Sequence, residues 1–107
     1  MSTYYHVTSN WDNGDLMCAA RYYGSEAAAV ERFCAKWGTD DAAFAQDQVT
    51  KLYLWASIDE ARSVQEDFGG EILKIEAEDL TVFEDRTERT PMLATREIIP
   101  ADCISRI

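Results

Sequence analysis

A chain of 107 residues has room for one hydrophobic core and no second module. A composition 47% hydrophobic and 28% charged excludes a disordered tract, and no apolar run nears the roughly 20 residues that a membrane-spanning helix needs. A net charge of −10 disfavours direct nucleic-acid binding, whose affinity comes from Lys and Arg displacing counterions.

In chain order, Tyr4, Tyr5, Val7 and Thr8 predict a strand over 3–8, ended by the turn formers of 9–14. A short helix is expected over 15–23, with Leu16, Ala19, Ala20 and Tyr23 on one face and Gly24 as its stop. Ser25 suits a helix N-cap. Val30, Phe33, Cys34 and Trp37 follow at three- and four-residue spacing, which assigns them to the core, and Gly38 closes the helix. Residues 39–48 add one or two further turns around Ala43 and Phe44.

Leu52-Tyr53-Leu54-Trp55 is short, bulky and bounded by turn signals, which predicts a strand over 51–55 with Tyr53 toward the core. Ser57-Ile58-Asp59-Glu60 is a capping box, and the helix behind it is expected to bury Ile58, Ala61, Val64 and Phe68 before Gly69-Gly70. Strands are expected over 71–77, 80–83 and 92–99, a charged loop over 85–91, and edge pairing over 104–107. Strands clustered after one interposed helix predict a single α+β domain over 1–107, its sheet mixed and mostly antiparallel, with two to four helices.

Cys18, Cys34 and Cys103 lack short metal-ligand spacing, and one histidine gives little to complete a site, so no metal is expected. Three buried, reduced thiols fit the cytoplasm, or a host cytoplasm if a phage encodes the chain; the N-terminus shows no secretory signal. His6 is either a general acid or base, or a half-buried ring bonded to backbone. Trp11, in a polar turn, is either an exposed binding anchor or a flap folded over the core.

The charge is uneven. Between residues 59 and 88, eleven acids face three bases. Glu71, Glu76, Glu78, Asp79, Glu84 and Asp85 mark a face that is either a solubility device or a surface for a basic protein partner, including one that normally holds nucleic acid.

Tyr4-Tyr5-His6-Val7-Thr8 resembles the opening strand of the ADP-ribosyltransferase-like proteins, which include RNA 2′-phosphotransferases and DNA-modifying toxins. The stretches 52–61, 70–75 and 99–104 look like the later half of that group, with its closing Ile99-Pro100 and Ile104. The resemblance implies an NAD cofactor, with His6 at the nicotinamide-side ribose, Tyr53 near the nicotinamide and Glu97 stabilising charge on the ribose. Counting back from Ile99, the family's catalytic glutamate is expected near Met92.

Two functions follow. The favoured one is a small acidic binding domain, without cofactor, that acts as an inhibitor or accessory factor of the phage anti-defence type, such as an anti-CRISPR protein. The alternative is an NAD-dependent ADP-ribosyltransferase using His6, Tyr53 and Glu97. A third reading is an assembly subunit whose apolar patch is covered in an oligomer.

Overall fold

The computed structural model describes residues 2–9, 11–86 and 92–107. Its elements run β1 (Ser2–Thr8), α1 (Ala19–Tyr22), α2 (Glu26–Trp37), α3 (Ala42–Val49), β2 (Leu52–Leu54), α4 (Ile58–Phe68), β3 (Glu71–Ala77), β4 (Phe83–Asp85), β5 (Met92–Thr95) and β6 (Ile104–Arg106). This is the expected α+β architecture. No helix among the described residues is long and apolar enough to cross a membrane.

The strands form two three-stranded sheets, ordered β1-β3-β6 and β2-β5-β4. Every strand pairing among the described residues is antiparallel, so the expected mixed sheet has no parallel component here. One pair joins the sheets: Tyr5 and Trp55 exchange two backbone hydrogen bonds of 2.8 Å. Beyond it the strands part.

Local chemistry sets the helix limits. The Ser25 and Ser57 hydroxyls accept from the Ala28 and Glu60 amides, and Asp41 accepts from the Phe44 amide, so α2, α4 and α3 each begin on a side-chain cap. α2 stops at Gly38, whose φ of 65° is left-handed. At Gly70, φ is 95° and an added Cβ would strike the Thr8 carbonyl oxygen, so the turn into β3 passes tightly under the end of β1.

The core lies on the sheet face that carries Leu54, Leu73, Ile75 and Ile104, closed by Trp11, Leu16 and Ile99. Alternation along β1 and β3 turns Val7 and Ile72 to the opposite face, where α4 packs with Ala61 fully buried.

Several boundaries differ from expectation. The helix expected over 15–23 contracts to α1, because Leu16 is extended and exchanges backbone bonds of 2.8 and 2.9 Å with Ile99. The strand expected over 92–99 ends at Thr95, whose hydroxyl donates to the Thr81 carbonyl and accepts from the Glu97 amide, turning the chain. The strand placed over 80–83 runs instead over Phe83–Asp85. Of the loop expected over 85–91, residues 87–91 lie outside the described ones, and Asp85 belongs to β4. Cys18 is buried, whereas Cys34 and Cys103 are only half-buried; all three are free thiols.

Candidate functional site

Where β1 and β2 part, a cleft of about 400 Å³ opens on the helix-covered face. Val7, Tyr53, Trp55 and Met92 form its floor; Trp37 and Phe68 stand at its mouth. Both mouth residues are the last of their helix, each followed by a glycine with positive φ, so the helix ends before it can cover them. Trp37 is 54% exposed and Phe68 71%. Both were expected in the core. Their rings instead meet edge to face at 6.4 Å, and Phe33 and Phe44 extend the aromatic run across α2 and α3. α2 buries only Ala29, because α1 and α3 cover part of its apolar stripe and the sheet does not reach the Trp37 end.

Beneath Tyr53 lies a charged network. The Lys51 side chain is 1% exposed and its ammonium bridges Asp47, at 2.7 Å, and Asp85. The Tyr53 hydroxyl donates to Asp85 at 3.0 Å and accepts from the Gln48 amide at 2.8 Å. Burial alone would lower the Lys51 pKa, but bonding to the two carboxylates outweighs it and holds the ammonium above its usual range. Loss of water raises the Tyr53 pKa, so the phenol stays protonated and serves as a donor. Asp85 is thus a buried counter-ion, 4% exposed, and not part of an external acidic face.

The residues singled out in the sequence are dispersed. His6 is half-buried, with its Nδ1–H donated to the Tyr53 carbonyl at 2.7 Å and its ring stacked near Trp55. Desolvation pushes its pKa below the ordinary value, only partly opposed by the bond to Tyr53. Glu97 lies near the exit of β5, where its carboxylate accepts from the Thr81 amide at 2.8 Å. His6 and Tyr53 touch through backbone, but His6, Tyr53 and Glu97 each line a different cavity. Met92 lines the cleft beside Tyr53.

Trp11 is no exposed anchor. It is 8% exposed, its indole donates to the Gly14 carbonyl at 2.8 Å, and the Arg106 guanidinium stacks 4.6 Å from its ring. Of the acidic set, Glu71 pairs with Arg106, Glu76 with Lys74 and Glu84 with Arg86, each at 3.0–3.2 Å. Glu78 and Asp79 are exposed in the turn after β3.

The cleft residues Trp37 and Phe68 carried one signal in the sequence. Each is an aromatic immediately before a helix-ending glycine, where the last turn overhangs its support. Comparison with protein-family models, curated proteins and solved structures gives no match.

Proposed function

We propose that this chain is a protein-binding domain, an inhibitor or accessory factor whose acidic surface meets a basic surface on a larger target. The observation that carries this reading is how its few cations are spent. Lys51 is buried between two carboxylates, and Lys74, Arg86 and Arg106 are paired with Glu76, Glu84 and Glu71. Arg32 and Arg96 lie 4.5 Å from the rings of Tyr23 and Phe83. Among the described residues, these pairings leave Glu78, Asp79 and the exposed acids of α4 outside any salt bridge. A surface potential of one sign steers an oppositely charged partner and sets its on-rate.

The test is capture of a partner from bacterial lysate at about 0.1 M and 1 M salt, across which the reach of charge falls from about 10 to about 3 Å. The captured protein should be largely lost at the higher salt. It should also be lost when Glu76→Lys, Glu78→Lys and Asp79→Lys are combined, with thermal stability nearly unchanged because exposed substitutions cost little. Equal capture by the reversed variant would leave the acidic surface as a solubility device.

A further inference from the structure

The cleft has a feature that a plain apolar patch lacks: an open strand edge. Along an antiparallel strand, backbone groups point alternately to one side and the other. Tyr5 directs its amide and carbonyl to Trp55, so Val7, two residues on, directs its own the same way. Antiparallel register would place Val7 opposite Tyr53. No ladder forms there, since the Tyr5–Trp55 pair is isolated and the Tyr53 carbonyl is occupied by His6. The Val7 backbone therefore faces the cleft with no described strand paired to it on that side, and Thr8 and Ser9 also line the cleft.

From this edge and its surroundings we infer that the cleft takes an extended peptide segment of the partner, which adds to β1 at Val7 and seats an apolar side chain against the paired Trp37 and Phe68 rings. This rests on the protein-binding reading above. Strand addition supplies main-chain bonds, and the pockets on alternate residues supply selectivity. Aromatic walls suit the anchor, because buried aromatic contacts dominate interface energies.

Charge selects the occupant. The exposed Glu66 and Asp67 precede Phe68 in the chain and the exposed Asp40 follows Trp37 by three residues, so acids neighbour both mouth residues without lining the cleft. Lys36, held 5.4 Å over the Trp37 ring, is the one cation lining the cleft among the described residues. The segment that fits has Lys or Arg on either side of its apolar core. A second copy of the chain fits poorly, since each copy carries a net charge of −10.

The probe is a capped seven-residue peptide with a central phenylalanine between two valines and two basic residues at each end, titrated into the ¹⁵N-labelled protein. Amide shifts are expected at Val7, Thr8 and Ser9, with indole N–H shifts at Trp37 and Trp55. Phe68→Ala should weaken binding at least about tenfold. N-methylation of the central phenylalanine should abolish it, because alternation turns that residue's amide toward Val7 and a methylated amide cannot donate.

Shifts confined to 76–79, or none at all, would overturn the inference while leaving the acidic-surface reading to its own salt and charge-reversal test. Equal affinity for a peptide with glutamate at both ends, or for N-acetyltryptophanamide alone, would overturn it in favour of a charge-blind or small-ligand cleft. Dimerisation of the unliganded protein that Phe68→Ala abolishes would assign the cleft to a second copy, and overturn it too.

Discussion

Tyr5 and Trp55 form the only rung by which the two sheets meet among the described strands, and the His6 ring beside them ties the same strands a second time through the Tyr53 carbonyl. Among the described residues three hydrogen bonds thus tie β1 to the β2 segment, two of backbone and one of imidazole, beside the core that Leu54 shares with Leu73 and Ile75. On the face covered by α4 the strands part into the cleft, and on the other face His6 and Leu52 line a separate cavity.

His6 makes that junction sensitive to acid. Its folded-state pKa lies below the ordinary 6.5, so the unfolded chain takes up the proton first. The contribution is fully present above pH 6.5 and declines as pH falls below that value, levelling only once the folded-state pKa is passed. Urea midpoints between pH 7.5 and about 5.5, above the ordinary carboxylate range, should therefore fall with acidification. His6→Asn retains a donor for the Tyr53 carbonyl and has no charge to gain, so its midpoint should stay flat over that interval. A wild-type midpoint that rises or holds constant would contradict the assignment.

Lys51 is the most demanding buried charge. Lys51→Met removes the ammonium from Asp47 and from the buried Asp85, and breaking a buried pair by removing one partner costs about 3–5 kcal/mol. Equilibrium unfolding in urea at neutral pH measures it. A loss below about 1 kcal/mol would mean that the pair behaves like a solvated one.

Glycines at helix ends should differ in tolerance. Gly38→Ala, in open space at φ 65°, should cost about 1–2 kcal/mol, the ordinary cost of left-handed backbone for an L-residue. Gly70→Ala must also displace the backbone of Thr8, and should cost clearly more. Paired thermal melts give the ordering, and the reverse order would show that β1 yields easily at its end.

The tryptophans should separate by solvent access. Trp37→Phe should remove most of the acrylamide-quenchable fluorescence, whereas Trp11→Phe should leave it and lower stability by roughly 1–2 kcal/mol through loss of the indole bond to Gly14 and the Arg106 stack. Quenching that vanishes with Trp11 instead would place that ring outside the core.

The local grammar was legible in the sequence. Ser25 and Ser57 begin helices, Gly38 and Gly69 end them, and the strands of 3–8, 51–55 and 71–77 are close to where their side chains predict. Contacts distant in sequence were not. Leu16 pairs with Ile99, and Arg106 reaches Trp11, Asn13 and Glu71; nothing local in either segment announces its partner. Helical spacing showed that Trp37 and Phe68 share faces with apolar neighbours, but the extent of the sheet beneath them decides whether those faces are covered. Asp85 read as one more surface acid because its cation, Lys51, lies 34 positions away.

β3 is the centre of its sheet, flanked by β1 from the first residues and by β6 from the last. A ribosome completes β1 and β3 well before it reaches β6 and the Arg106 that stacks on Trp11. Until β6 follows, one edge of β3 is bare and the loop of Trp11 has no latch. In that interval the nascent sheet exposes apolar surface to chaperones, proteases and neighbouring chains.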